Sequence, residues 1–230
     1  VAHTITHDSN PMDGFFMLAR DFAVMLNDAG WEVFFYGPEC TEIPENIKLI
    51  NVVNTKLYLQ CYGNRDINVI DPLRGSESLA WDEFREKTKL ALARRDEKNT
   101  PYFVFPMFGS STRPCTEQLR KAIVIEPSIG HPGSYAPFRV FASRCHFYTQ
   151  HNVNDHGNAY WDVIPHFLDH TRYPDIPKNL SNKICVFLGR VQFDKGISIA
   201  IEATKRANMK LIVLGPGGEH IRDHDHVEYW

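Results

Sequence analysis

A strand, a glycine turn, a helix and a second strand follow one another within residues 184–218, and this order strongly constrains the fold. Residues 184–188 form an apolar run that ends in Gly189-Arg190. Residues 197–207 carry apolar side chains at helical spacing, and the apolar run 211–214 ends in a Gly-Pro-Gly-Gly turn. Such a unit is half of a nucleotide-binding α/β domain. The segment therefore predicts an α/β fold with parallel strands.

The first half of the chain repeats the same order. Residues 1–7 predict a strand, residues 15–29 a helix that Gly30 ends, and residues 31–36 a second strand that Gly37-Pro38 closes. Further strands are predicted at 47–53, 102–105 and 123–125, and further helices at 81–95, 116–121 and 138–148. We expect strands 1–7, 31–36, 102–105 and 123–125 to be parallel in one sheet, and strands 183–188 and 211–214 to pair in another.

A polar stretch that contains prolines separates the two α/β patterns and predicts a domain boundary. We expect an N-terminal Rossmann-like domain at residues 1–168 and a linker at 169–182. A partial C-terminal domain is expected at 183–230.

Composition limits the classes of function. A formal net charge of -3 over 230 residues argues against a broad electrostatic footprint for nucleic acid or an anionic membrane. Five dispersed cysteines without a Cys-x-x-Cys pair are typical of reduced thiols, which favours the cytoplasm. The first residues show no secretory signal and no initiator methionine, so the natural product is expected to begin earlier.

The glycine turn after residue 188 carries two cations, Arg190 and Lys195. Both could reach one anionic group at the start of the following helix. The alternative is that Gly189 and Gly196 only let the chain turn and that the two cations are solvated surface charges.

Three segments carry a resemblance to GT-B glycosyltransferases of the retaining family four (glycosyl transferases group 1). Residues 187–196 (FLGRVQFDKG) resemble the family's diphosphate motif, which is Gly-Arg, four residues and Lys-Gly. Residues 164–169 (IPHFLD) are similar to its IPNGVD segment, with His166 in place of asparagine. Residues 126–141 resemble a subgroup that reads EPGIGY…APFRVFES, with Ser128 and His131 in place of glycine and tyrosine.

The resemblance implies two Rossmann-like domains, the second incomplete. A GT-B donor domain normally continues for on the order of a hundred residues beyond this point. It includes a Glu-x7-Glu region that contacts the sugar and the ribose, whereas this sequence ends about where a third strand of the second domain is expected. Three explanations stay open: a fragment, a partner that supplies the rest, or a reduced relative.

The function that the resemblance implies is transfer of a hexosyl or pentosyl group from a nucleoside-diphosphate-sugar to a hydroxyl acceptor, with retention and without a metal cofactor. Arg190 and Lys195 would hold the diphosphate, and Gly14 at the head of the first helix would offer a second close backbone approach. His131 is the catalytic candidate, with a loop histidine as the alternative. Glu126 and Arg139 are candidate acceptor or donor contacts, or else a buried ion pair that holds the loop.

Rival functions and partners follow from the same residues. A non-catalytic nucleotide-sugar-binding module or subunit would keep the fold without the sugar-site carboxylates. A phage-type transferase acting on hydroxymethylated DNA bases would need a basic groove, which makes DNA a weaker candidate acceptor than a glycan, a lipid-linked sugar or a small molecule. The cluster at 222–226 is interpreted as a solvated loop rather than a metal site. The second sheet is expected to have an unpaired edge and an uncovered apolar face. We expect both to be covered by a second copy, by a missing C-terminal segment or by another protein.

Overall fold

The computed structural model describes residues 14–62, 78–98, 100–107, 109–151, 160–167 and 184–230. The chain divides into two compact units; described residues 14–62 and 78–167 lie in the first, and 184–230 lie in the second. Among the described residues, every strand pair is parallel. The architecture is therefore α/β and compatible with a Rossmann-like fold, as predicted. The expected linker 169–182 and both expected boundaries lie outside the described residues.

Among the described residues, the strands of the first unit form two parallel sheets with helices between them. Its elements are α1 (Gly14–Asp28), β1 (Phe34–Pro38), β2 (Lys48–Val53), α2 (Thr55–Tyr62), α3 (Leu79–Asp96), β3 (Tyr102–Val104), α4 (Arg113–Thr116), β4 (Ala122–Ile129), β5 (Phe138–Phe141), α5 (Arg144–His151) and β6 (Trp161–Val163). Strand β1 pairs with β2, and strands β3, β4, β5 and β6 pair in chain order. The strands expected to share one sheet thus lie in two among the described residues, and the predicted strand 1–7 lies outside them.

Successive side chains of β1 point to opposite faces of the sheet, and each face packs against a helix. Phe35 packs in a buried cluster with Ala19 and Ala23 of α1. Its neighbour Tyr36 packs in a second cluster with Trp81 and Phe84 of α3. The interior of the first unit is therefore built from two layers of helix around parallel strands.

In its described residues, 184–230, the second unit has a three-stranded parallel sheet and one α-helix. Its elements are β7 (Ile184–Leu188), α6 (Ile197–Arg206), β8 (Lys210–Leu214) and β9 (Val227–Tyr229), with strand order β7, β8, β9. The sequence was expected to end about where a third strand begins. The structure contains this third strand, β9. Its core joins Ile197 and Ile201 of α6 to Leu211 and Val213 of β8.

One face of the second sheet is apolar and exposed in part. Alternate side chains of β7 point away from the core, and Ile184, Val186 and Leu188 are 47%, 59% and 82% exposed. The sequence predicted such an uncovered face. Leu188 stands next to the glycine turn, so the apolar surface reaches the loop that carries Arg190.

Several predicted elements were wrong in their bounds or in their type. Strand β1 begins at Phe34 and not at residue 31, because the Trp31 N–H closes the end of α1 on the Leu26 carbonyl at 3.1 Å. Helix α4 ends at Thr116, where a helix was predicted to begin; Pro114 lies in its first turn, where a missing N–H costs little. Residues 138–141 were predicted to be helical but form β5, because the sequence Phe-Arg-Val-Phe favours a strand.

All five cysteines are free thiols. None of the helices in the described ranges has the length and the apolar character needed to cross a lipid bilayer.

Candidate functional site

The loop that follows β7 has at both ends a backbone conformation that favours glycine. Gly189 has a φ of 144°, and Gly196 has a φ of 77°. L-residues with a side chain rarely adopt either value. Between the two glycines, residues 193–195 form a short 3-10 turn, and α6 begins at Ile197. The two glycines of the motif thus fix the shape of the loop.

The loop presents positive charge to solvent. Arg190 and Lys195 are both exposed. Lys195 Nζ lies 3.9 Å from the carboxylate of its neighbour Asp194, which is the edge of ion-pair range. No side chain caps the first turn of α6, because Gly196 occupies the N-cap position. The free N–H groups and the dipole of α6 therefore add partial positive charge beside the two cations.

The turn after β8 supports this loop. The N–H of Gly189 donates to the Leu214 carbonyl at 3.0 Å, and the N–H of Val191 donates to the Pro216 carbonyl at 2.9 Å. Gly215 lies so close that a Cβ atom there would stand 2.1 Å from the Gly189 carbonyl oxygen. The position of Arg190 thus depends on a glycine 25 residues further along the chain.

In the first unit, His131 lies just beyond the carboxyl end of β4, as the sequence predicted. Its Nδ1 lies 3.0 Å from the carbonyl oxygen of Pro132. A carbonyl oxygen can only accept, so Nδ1 carries the hydrogen and, in the neutral ring, Nε2 carries the lone pair that can accept a proton. The ring lies against Gly109, where a Cβ atom would stand 2.7 Å from the His131 Cε1.

Glu126 and Arg139 hold one loop. The Glu126 side chain is buried, and its Oε2 accepts the N–H groups of Tyr135 at 2.6 Å and Ala136 at 2.8 Å. Arg139 Nε donates to the Ala136 carbonyl at 2.8 Å, and its guanidinium lies 4.4 Å from the centre of the Trp161 ring. These contacts give both residues a structural role in the loop. Their expected acceptor or donor contacts stay a prediction.

Opposing effects act on the pKa of the Glu126 carboxyl. Burial raises the pKa of its carboxyl above the ordinary value, while the two N–H donors, the positive charge of Arg139 and the protonated form of His131 act in the opposite direction. Burial prevails, in part because Glu126 Oε1 is buried and has no hydrogen-bond partner among the described residues.

The variant Glu126→Gln should remove a pH dependence of stability. A carboxyl whose pKa is raised in the folded state contributes stability fully below its unfolded value, near 4.5, and this contribution is lost as the pH rises through the raised pKa. We expect the free energy of unfolding of the variant, relative to the parent, to increase from about pH 4 upward. Urea denaturation across a pH series measures it. The exposed Glu45→Gln is the matched control; parallel pH profiles for parent and Glu126→Gln would contradict the assignment.

Sequence reasoning missed the residues around Gly130. A Cβ atom on Gly130 would stand 3.9 Å from both His146 Cε1 and His166 Nε2. Ser143 Oγ lies 3.0 Å from His146 Nδ1 and accepts the His146 N–H at 3.3 Å. One sequence signal could have placed His146. Ser143 lies three residues before this histidine, which is the spacing of a serine that caps the start of a helix. The carboxyl ends of β4, β5 and β6 thus bring three histidines, His131 among them, to one region of the first unit.

At Ser128, the backbone of β4 has a conformation that favours glycine. Ser128 has a φ of 57°, and the register with β5 shifts between Glu126 and Ile129. Glycine, which the subgroup has at this position, adopts that φ without strain.

The structure distributes the predicted site residues over two units. Glu126, His131 and Arg139 lie in the first unit, and Arg190 and Lys195 lie in the second. Gly14 is the first residue of α1, which is the helix head that the sequence predicted.

The segment 222–226 shows no metal centre. Asp223 and Asp225 have the Asp-x-Asp spacing of metal-dependent transferases, yet within the described ranges no group of three His, Cys, Asp or Glu residues could hold an ion. His226 Nε2 instead donates to the Ile201 carbonyl at 3.0 Å, which ties the segment to α6.

Comparison of the sequence with protein-family models and with curated proteins finds no significant match.

Proposed function

We propose that this chain binds a nucleoside-diphosphate-sugar and transfers its sugar to a hydroxyl group, as a retaining transferase of the GT-B type without a metal cofactor. The proposal assigns the donor diphosphate to the loop between Gly189 and Gly196. The resemblance of residues 187–196 to the diphosphate motif is its origin.

The single observation that carries the proposal is the conjunction of charge and shape after β7. Two exposed cations, Arg190 and Lys195, flank a loop that ends at an uncapped helix N-terminus. A diphosphate fits this arrangement because its oxygens accept from a planar guanidinium, from an ammonium and from backbone N–H groups together. Ligands of open parallel sheets lie at this end of the strands.

Sugar transfer requires that the negative charge on the leaving diphosphate is stabilised. Transfer breaks the bond between the anomeric carbon and the diphosphate oxygen, forms a bond from that carbon to the acceptor oxygen, and releases the hydroxyl proton. The leaving diphosphate gains negative charge, which Arg190, Lys195 and the dipole of α6 would stabilise. In this proposal His131 receives the proton at Nε2, because Nδ1 already donates to Pro132.

Turnover tests the proposal. The chain is incubated with a panel of nucleotide-sugars, and release of nucleoside diphosphate is followed with and without simple glycoside acceptors. Release that depends on Arg190 and Lys195 supports a transferase. Binding of a nucleotide-sugar without release would favour the rival, a non-catalytic binding module, and neither binding nor release would refute both.

A further inference from the structure

The loop between Gly189 and Gly196 carries exposed apolar surface as well as positive charge. Among the described residues, the three most exposed large hydrophobic side chains all lie on this loop or close to it in the sequence. They are Leu188, Phe193 and Ile199, and Phe193 is 90% exposed. A single exposed apolar side chain is ordinary, whereas several at one place are typical of a surface that binds another molecule.

The backbone of the loop holds Phe193 outside the core. Val191, two residues earlier, is buried and packs in one cluster with Ile197 of α6. Phe193 begins the short 3-10 turn, and the N–H of Gly196 donates to the Phe193 carbonyl at 3.0 Å. The ring therefore belongs to the outer surface of a loop whose shape is fixed by backbone hydrogen bonds.

The start of α6 has apolar side chains close to it. Gly196, which ends the turn that Phe193 begins, is also the N-cap residue of α6. A Cβ atom on Gly196 would stand 4.0 Å from the Cδ1 atom of Ile199, which is an ordinary contact distance. An exposed ring and an exposed aliphatic side chain thus both neighbour Gly196, beside the first turn of the helix.

The chemistry of the loop is that of a site for a ligand with two kinds of group. Arg190 lies three residues before Phe193, and Lys195 lies two residues after it. A bare anion would contact the cations and leave the ring in water. A nucleoside diphosphate offers a diphosphate to the cations and a flat base to the ring, and aromatic side chains stack on the face of every base.

We propose that Phe193 stacks on the base of a bound nucleoside diphosphate, so that this loop prefers nucleoside diphosphates to inorganic diphosphate. The role of Phe193 rests on the proposed function, because the loop is taken as the diphosphate site. Inorganic diphosphate carries at least as much negative charge, so a loop that used its cations alone would bind it at least as tightly. A preference for the nucleoside compound therefore reports contact with the base.

Calorimetric titration of the parent and of two variants tests this role. The probes are UDP, GDP, ADP and CDP, each compared with inorganic diphosphate. We expect the parent to bind at least one nucleoside diphosphate roughly 5- to 150-fold more tightly than inorganic diphosphate, which is the usual effect of one stacked base. Phe193→Ala should lose this preference and bind inorganic diphosphate like the parent. Phe193→Tyr retains an aromatic ring and should retain the preference.

The matched control is Ile184→Ala, which removes an exposed apolar side chain from the other end of β7. It should keep the preference of the parent. An unchanged preference in Phe193→Ala would overturn the inference, and so would an equal loss of affinity for both kinds of ligand. Geranyl diphosphate is a further probe. If it binds more tightly than every nucleoside diphosphate and loses this affinity in Phe193→Ala, the ring contacts a prenyl chain and the inference is overturned.

Failure of the proposed function gives a different result. If the parent binds neither inorganic diphosphate nor any of the four nucleoside diphosphates, the loop is not a diphosphate site and both proposals are refuted. If diphosphates bind in a manner that depends on Arg190 while Phe193→Ala keeps the preference, only the role of Phe193 is refuted.

The variant Phe193→Trp reports the contact directly. A base stacked on the introduced indole should quench its fluorescence, whereas inorganic diphosphate should not. The signal of the parent, which has four tryptophans, is measured in parallel and subtracted. We expect quenching that saturates at the same ligand concentration as the calorimetric titration of this variant. Equal fluorescence with and without a bound nucleoside diphosphate would overturn the inference.

Discussion

The variant Gly215→Ala should lose most of the stability of the second unit. A Cβ atom at this position would stand 2.1 Å from the Gly189 carbonyl oxygen, and the backbone fixes the positions of both atoms, so a side-chain rotation cannot relieve the clash. Gly215 also has a φ of 146°, which a residue with a side chain rarely adopts. We expect the free energy of unfolding to fall by more than about 3 kcal/mol, measured by urea denaturation.

Gly189→Ala is the matched control for this clash. Gly189 has nearly the same φ, 144°, but a Cβ atom there would meet nothing within 4 Å. Its alanine variant should therefore carry only the backbone strain, on the order of 1–3 kcal/mol. Equal losses for the two variants would show that the close approach of the two glycine turns is not what stabilises the loop.

The second prediction with a large effect concerns ligand affinity. Arg190→Ala and Lys195→Ala should each weaken binding of a nucleoside diphosphate by about 1.5–3 kcal/mol, or roughly 10- to 150-fold, because each removes a charge-assisted contact. Both side chains are exposed, so the folded state should tolerate their loss. Calorimetric titration with a panel of nucleoside diphosphates measures the effect.

The control is Lys205→Ala, which removes an exposed cation from the last turn of α6 at the far end of the helix. It changes the net charge by the same amount and should bind like the parent. If Arg190→Ala and Lys195→Ala also bind like the parent, the assignment of the loop is wrong.

The elements that the sequence predicted best are those with a strong local signal. Helix α6 and strands β7 and β8 follow from uninterrupted apolar patterns between glycine turns. Helix α1 ends at Asp28, and Gly30 follows it with a φ of 88°. Helix α2 was missed because its eight residues bury few side chains and so leave no clear period. The sequence signal that could have indicated α2 is its N-cap residue Asn54, whose Oδ1 accepts the Lys56 N–H at 2.8 Å.

The candidate site was predictable only where it is local in sequence. Arg190, Lys195 and the two glycines lie within eight residues of one another, so their motif can be read directly. The neighbours of His131 come from other elements: Gly109 lies in the turn before α4, and Gln150 Nε2 of α5 donates to the His131 carbonyl at 3.4 Å. Contacts between distant segments depend on how strands and helices pack, and a local sequence pattern does not predict this packing.

The histidines near Gly130 illustrate the same limit. His146 and His166 are 20 residues apart, and only the parallel pairing of β4, β5 and β6 brings both to the same strand ends. The sequence predicted a helix across residues 138–148, which would have placed His146 elsewhere. Once β5 is known, the loop after it is an expected position for a polar side chain.

Chemical-shift mapping of the isotope-labelled chain tests the central claim most directly. The chain is titrated with a nucleoside diphosphate, with the matching nucleoside monophosphate and with inorganic phosphate. We predict that the diphosphate shifts the amide signals of residues 189–199 and of the supporting turn 215–218 more strongly than the other two, and that Arg190→Ala abolishes the difference. Shifts confined to other parts of the chain, or none at millimolar diphosphate, would contradict the account.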